Sequence, residues 1–163
     1  NDSTRNAIES VVWNLGGTAS YNGLASHWYG YERGTTVYSE HATTWTGKVG
    51  LMYPSDYGYA TAGGATTNRA ACLAKKLYNW DGSGVSDCKN NDYLYKSSYY
   101  QWTLAPYSSY SGNVFDVEAN GFVNNRDAYS TCSVRPVAFL KSIISITDVG
   151  LGTAESPFQL KVG

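Results

Sequence analysis

Asn120-Gly121 is the strongest local constraint on this chain. It stands between two runs of strand character, Val114-Phe115-Asp116-Val117-Glu118-Ala119 and Phe122-Val123-Asn124. Asn-Gly between such runs predicts a two-residue β-hairpin, because both turn positions take φ > 0, which these residues tolerate. Side chains alternate along a strand, so Phe115, Val117 and Ala119 are predicted on one face and Asp116 and Glu118 on the other. That polar face is either solvated or part of a contact surface; alternation alone leaves both readings open.

The hairpin lies inside a longer stretch, about 90–133, in which a few apolar residues keep fixed places and Asn, Ser, Tyr, Asp and Thr fill the gaps. It reads Asn90-Asn91-Asp92-Tyr93, Ser97-Ser98-Tyr99-Tyr100, Tyr107-Ser108-Ser109-Tyr110-Ser111 and Asn124-Asn125-Arg126-Asp127. Tyr brings a large amphipathic area at low rotamer entropy, and Ser and Asn bring adaptable hydrogen bonds, which is the composition of antibody paratopes. The stretch closes on the apolar run Ser133-Val134-Arg135-Pro136-Val137-Ala138-Phe139-Leu140. A binding surface laid on a rigid scaffold is the expectation.

With 163 residues, 42% hydrophobic and 15% charged, the chain has the size of one globular domain spanning 1–163. A net charge of −1 lacks the basic excess of a nucleic-acid binder. Fifteen Tyr, 17 Gly and a single Met suit a secreted or surface β-rich protein. No apolar run approaches the roughly 18 residues that span a bilayer. No signal peptide is visible, and residues 1–13 read as the tail of a helix, so any membrane anchor is expected upstream of Asn1.

Three cysteines are present. A disulfide between Cys72 and Cys88 would close a loop worth about 3 kcal/mol in chain entropy; two separate buried thiols are the alternative. Cys132 is left over and reads as a free surface thiol. A catalytic thiol needs a base, and the histidines, His27 and His41, are far off in sequence.

Residues 66–78 carry the clearest helical pattern. Thr67 or Asn68 can cap it, Ala70, Leu73, Ala74 and Leu77 recur at helical spacing, and Lys75 and Lys76 suit its C-terminal end. A second short helix is expected after Met52-Tyr53-Pro54, with Ser55 or Asp56 in its first turn. Near the C-terminus, Ile143-Ile144-Ser145-Ile146 and Pro157-Phe158-Gln159-Leu160 predict a ribbon around Gly150-Leu151-Gly152, which is no dinucleotide fingerprint because no βαβ unit follows. Gly47-Lys48-Val49 is likewise no phosphate loop. Of five tryptophans, Trp102 is the one most expected in the core, since its neighbours are polar and something must anchor the segment.

The runs Tyr31-Glu32-Arg33-Gly34-Thr35-Thr36-Val37-Tyr38, Val49-Gly50-Leu51-Met52-Tyr53-Pro54-Ser55-Asp56-Tyr57-Gly58-Tyr59-Ala60, Trp102-Thr103-Leu104-Ala105-Pro106, Val114-Phe115, Asn120-Gly121 and Val134-Arg135-Pro136-Val137-Ala138-Phe139-Leu140-Lys141-Ser142 together resemble bacterial surface proteins that often carry a pilin-type N-terminal helix and end in a C-type-lectin-like module. The strand with Arg135-Pro136-Val137 also resembles the last core strand of formylglycine-generating-enzyme-like folds. The resemblance implies an α+β, C-type-lectin-like fold, with mostly antiparallel sheets, one or two short helices and a terminal β-ribbon.

Several proteins of this architecture are variable proteins of diversity-generating retroelements, in which adenine changes turn AAC codons for Asn into codons for Ser, Tyr, Asp, Thr, Gly, Arg or Cys. The stretch about 90–135 fits that menu. The resemblance then implies a ligand-binding set of Tyr99, Tyr107, Tyr110, Asp116, Glu118, Asn120, Asn124, Asn125, Arg126, Asp127 and Tyr129, with Glu118 the hardest to reach by adenine changes. Thr131 and Cys132 also fit. The fixed frame would be Trp102, Leu104, Val114, Phe115, Val117, Val134, Val137, Phe139 and the Cys72–Cys88 disulfide.

The implied function is non-enzymatic binding of a protein or glycan on another cell or phage. The domain would sit outside the cell, held at its surface only through an upstream anchor, with pilus-like assembly as an option and no cofactor. A structural surface or pilus subunit is the alternative. An oxidase resembling formylglycine-generating enzymes is a further one, although no paired carboxylates or Ser/His/Asp set is evident unless Glu32, Asp56, Asp81, Asp87 and Asp92 meet in space. The Glu-Pro-Asn or Gln-Pro-Asp signature of calcium-dependent sugar binders is absent, so Asn90, Asn91 and Asp92 would be the oxygen ligands left for calcium.

Overall fold

The computed structural model describes residues 2–80, 86–153 and 155–162. The fold is mixed α+β, with short helices and small antiparallel sheets. In chain order the elements are α1 (Asp2–Ala7), β1 (Val11–Asn14), α2 (Ala25–Glu32), β2 (Thr44–Gly47), β3 (Val49–Leu51), α3 (Pro54–Tyr59), α4 (Arg69–Leu73), a 3-10 turn (Leu77–Asn79), α5 (Ser86–Asn90), β4 (Gln101–Pro106), β5 (Asn113–Val117), β6 (Val123–Asp127), β7 (Pro136–Ala138), β8 (Ile144–Ile146) and β9 (Leu160–Val162). β4, β5 and β6 form a three-stranded sheet in that order, and β1–β2, β3–β7 and β8–β9 are two-stranded. Helices are more numerous than the one or two expected.

The core lies between the helices and the inner face of the β4–β6 sheet. Trp28 of α2, Tyr57 of α3, Trp80, Phe115, Val117 and Val123 are all fully buried in it. The Trp28 ring meets Phe115 edge-on at 4.6 Å, and Tyr57 meets Trp80 edge-on at 5.1 Å. These geometries match the positive edge of one ring to the negative face of another. α2 and α3 approach closely at Gly58, where an added Cβ would stand 2.7 Å from the Ala25 methyl.

α3 forms as its sequence demands. Pro54 supplies the fixed φ of a first helical position, and Asp56 reaches back to accept the Tyr53 N–H at 2.9 Å. α2 escaped the sequence reading because Ala25-Ser26-His27-Trp28-Tyr29-Gly30-Tyr31-Glu32 has no apolar stripe; Trp28, buried against Phe115, holds it.

The helix expected over 66–78 is much shorter. Asn68 caps α4 by accepting the Ala71 N–H at 2.8 Å, but the helix stops at Leu73. Two tertiary contacts end it: the Trp80 indole donates to Cys72 O at 3.2 Å, and the Leu77 N–H donates to Gly23 O at 2.9 Å while its side chain enters the core. Leu77 thus falls in the 3-10 turn, and Lys75 and Lys76 follow the helix rather than ending it. Cys72 and Cys88 form the disulfide, with a Cα–Cα distance of 5.7 Å, tying α4 to α5. Cys132 is a free thiol, half-buried.

Three further expectations are corrected. The N-terminal helix ends at Ala7, and Val11–Asn14 is a strand paired with β2 through Trp13↔Trp45. Trp102 is only half-buried, whereas Trp13, Trp28 and Trp80 are buried. Of the expected frame, Phe115 and Val117 are fully buried, Val137 packs on the core from its edge, and Val134 and Phe139 are exposed. The C-terminal ribbon is present, with Ile144↔Val162, Ser145↔Lys161 and Ile146↔Leu160 paired.

Candidate ligand-binding surface

The β5–β6 hairpin carries most of the expected site. Its register pairs Asn113↔Asp127, Val114↔Arg126, Phe115↔Asn125, Asp116↔Asn124 and Val117↔Val123. Residues opposite one another share a face, and neighbours along a strand alternate. Asn125 and Asp127 therefore lie on the face of Phe115 and Val117. Asp116, Asn124 and Arg126 lie on the other, with Trp102, which pairs with Asp116.

The turn is not the two-residue type expected. Only Gly121 has positive φ (89°); Asn120 does not. The Gly121 N–H donates to Glu118 O and the Glu118 N–H donates to Phe122 O, both at 2.8 Å. This is a three-residue loop closed by a left-handed glycine. Ala119 sits in that loop, half-buried, and not on the core face. Three successive loop carbonyls are held by other elements: Ala119 O accepts from the Tyr95 hydroxyl at 2.8 Å, Asn120 O from Lys89 Nζ at 2.8 Å and Gly121 O from the Tyr57 hydroxyl at 3.0 Å. Asn120 spends its side chain locally, accepting the Phe122 N–H and donating to Glu118 Oε2. Glu118 Oε1 accepts from Asn124 Nδ2 at 3.3 Å and Arg126 Nη2 at 3.4 Å. The turn end is thus closed and internally satisfied.

Midway along, the polar face is buried at Asp116, which is neither of the two readings that alternation left open. Asp116 has 0% exposure, and its Oδ2 accepts from Arg126 Nε at 2.8 Å. Oδ1 is buried with no hydrogen-bond partner among the described residues. Burial, only partly offset by Arg126, pushes the Asp116 carboxyl up to about 6. The Arg126 guanidinium lies over the Tyr100 ring at 4.0 Å and is 28% exposed. Asp116 and Arg126 act on the ionisation of the Cys132 thiol, which burial raises.

The opposite end of the hairpin is open and tyrosine-rich. The Asn113 amide sits between Asn125 and Asp127, 2.8 Å from a polar atom of each. The Tyr129 hydroxyl donates to Asp127 Oδ2 at 2.9 Å, and Tyr110 is near enough to affect its ionisation. Tyr129 is 89% exposed and Tyr110 57%. Tyr107 turns inward and packs edge-on against Phe115 at 5.7 Å. Tyr99 is exposed but is joined to neither group by a hydrogen bond among the described residues.

Tyr99 apart, the ten other expected residues therefore divide. Tyr110, Asn125, Asp127 and Tyr129 gather at the open end, with Tyr107 beneath them. Glu118, Asn120 and Asn124 gather at the clamped end, with Asp116 and Arg126 between. Tyr100, which carries Arg126, was missed; nothing in a run of Ser and Tyr distinguishes the tyrosine that will support an arginine.

Among the described residues, no three His, Cys, Asp or Glu side chains gather as a metal site. Asp81 lies outside the described residues. Glu32 is fully buried and holds the Ser55 N–H at 2.8 Å and its hydroxyl at 2.5 Å, and Asp92 accepts the Leu94 N–H at 2.8 Å. No helix of the described residues is long and apolar enough to cross a membrane. No protein-family model, no curated protein and no solved structure matches this chain.

Proposed function

We propose that this chain is a ligand-binding module whose contact surface is the open end of the β5–β6 hairpin, centred on Tyr110, Asp127 and Tyr129. One observation carries the reading: the hairpin is fixed at one end by three clamped carbonyls and bears at the other two exposed tyrosines around a strand-borne carboxylate. Exposed groups held by a rigid frame are where recognition tends to sit. Exposed tyrosines of this kind become anchors when a partner desolvates them. The partner is a protein or glycan on another cell or phage, and the domain works outside the cell, where its disulfide is stable.

The finer reading is a C-type-lectin-like domain diversified by a retroelement. It is supported by the resemblance of the sequence runs and by the ease with which Tyr110 and Tyr129 can change without touching the core. Variation at Asp116 and Arg126 would be coupled, because each neutralises the other. A near-copy of the gene segment differing only at adenines, beside a reverse transcriptase, would establish the diversification.

The experiment is a screen of protein and glycan arrays with the intact chain and with Tyr110→Ala and Tyr129→Ala. The expected result is that each loses a ligand of the parent by about tenfold or more, at an unchanged melting temperature. Retention of every ligand by both variants defeats the reading.

A further inference from the structure

An open cleft of about 960 Å³ lies away from the hairpin, between α3, α4 and β7. None of the expected ligand-binding residues lines it. Its volume is that of a small-molecule site. Trp13 and Phe139 form an aromatic wall with ring centres 5.4 Å apart, and Tyr53 lies 6.5 Å from Trp13. Phe139 remains 53% exposed, while Trp13 and Tyr53 behind it are buried, so the face open to a visitor is the Phe139 ring.

The charges around the cleft are unbalanced. Arg33, Arg69 and Arg135 line it, against one acid, Asp56. Asp56 is already engaged, accepting the Tyr53 N–H at the start of α3. Arg33 is committed too, 3.3 Å from the buried Glu32 carboxylate.

The other two arginines donate only to neutral oxygens. Arg69 holds Thr61 O at 3.0 Å through Nε and Tyr59 O at 2.9 Å through Nη2. Arg135 holds Gln101 Oε1 at 3.2 Å and Leu94 O at 3.3 Å through Nη2. Among the described residues neither has a carboxylate at ion-pair distance, although the buried Asp92 carboxyl feels Arg135 from farther off, and neither Nη1 has a hydrogen-bond partner.

Two guanidinium groups without an ion-paired acid, beside the exposed Phe139 ring, form a local excess of positive charge in a chain whose net charge is −1. A concave site lined by one sign of charge concentrates ions of the other sign. Guanidinium groups match planar carboxylates, while the rings take up an apolar body.

We infer that this cleft is a second binding site, separate from the hairpin, for a small organic acid: a flat apolar body carrying a carboxylate. The carboxylate pairs with Arg69 and Arg135, and the body lies against Phe139, which backs onto the buried Trp13. A neutral analogue leaves the guanidinium groups without their partner, and a cationic one is repelled.

The test uses naphthoate as probe, with naphthamide and naphthylmethylamine as neutral and cationic counterparts. Binding is read by calorimetry and by shifts of the Trp13 indole N–H resonance in the intact chain. Naphthoate is expected to bind saturably, about tenfold tighter than naphthamide, with no binding of the amine. Arg69→Gln and Phe139→Ala each weaken naphthoate by about fivefold or more, Arg69→Lys by less, and Tyr129→Ala not at all. The absence of saturation at about 10 mM, equal affinity for naphthamide, or indifference to Phe139→Ala overturns the inference. Phe139 is half-exposed, so its variant tests the wall even should Arg69→Gln unfold. Loss of naphthoate binding in Tyr129→Ala also overturns it, since the two sites would then be one.

Discussion

Asp116 and Tyr129 stand on one hairpin, are drawn from the same polar vocabulary, and have opposite physical roles. Asp116 is a buried carboxylate whose charge is met by Arg126, and removing one partner of such a pair leaves the other uncompensated. Arg126→Ala is therefore expected to cost about 3 kcal/mol in urea unfolding, with Asp116→Asn in the same chain recovering much of it. Tyr129→Ala should stay within about 0.5 kcal/mol of the parent, since its ring is exposed and only its hydroxyl is bonded. Equal costs for Arg126→Ala and Tyr129→Ala would refute this division of roles. A diversified surface can tolerate change at Tyr110 and Tyr129 but not independently at Asp116 and Arg126.

The β5–β6 hairpin works as an element because its two ends are treated differently. The Glu118–Phe122 loop receives donors from Tyr57, Lys89 and Tyr95, which come from α3, α5 and the segment after it. Gly121 makes that seating possible. At φ 89° a side chain is disfavoured, and a Cβ would stand 2.6 Å from Lys89 Cδ and 3.2 Å from the Tyr57 hydroxyl. Gly121→Ala is expected to lower stability by about 1–2 kcal/mol. It should also raise amide exchange at residues 118–122 while leaving the Tyr110–Tyr129 end unchanged. Exchange rising first around Tyr129 instead would mean that the clamp does not hold the loop. The two-residue turn expected from Asn120-Gly121 failed because those donors draw the carbonyls into a wider loop. The dipeptide marks where a chain reverses, and the surroundings choose how.

For the molecule as a whole, three buried carboxyls set an unusual pH dependence. Burial pushes Glu32 and Asp92 up to about 7 and Asp116 to about 6. Each folded pKa lies above its unfolded value near 4, so the folded chain keeps protons that the unfolded chain releases. Their stabilising contribution is full below about pH 4 and is lost as pH rises through about 6 to 7. Asp87, half-buried and held low by the Thr66 hydroxyl and N–H, acts in the opposite sense only at the acid end of that range. The melting temperature should therefore be higher at pH 5 than at pH 8 by several degrees, and Glu32→Gln with Asp92→Asn should flatten the difference. A melting temperature that climbs from pH 5 to pH 8 would contradict the burial of these groups.

The sequence by itself determined what depends on neighbours along the chain. The cap at Asn68, the Pro54 start of α3, the reversal at Gly121 and the C-terminal ribbon were all legible, because capping, fixed φ and glycine conformation are local physics. The mixed α+β class was what the resemblance of the sequence runs implied, and the spacing of Cys72 and Cys88 allowed their bridge. Only the tertiary structure decided what depends on distant partners. It ended α4 at Leu73 through Trp80 and Gly23, built α2 around Trp28, buried Asp116 on a face that alternation left open, and brought Arg69 and Arg135 to one cleft. Burial and charge pairing are set by which surfaces meet, and a polar residue carries no local mark of whether water or a guanidinium will face it.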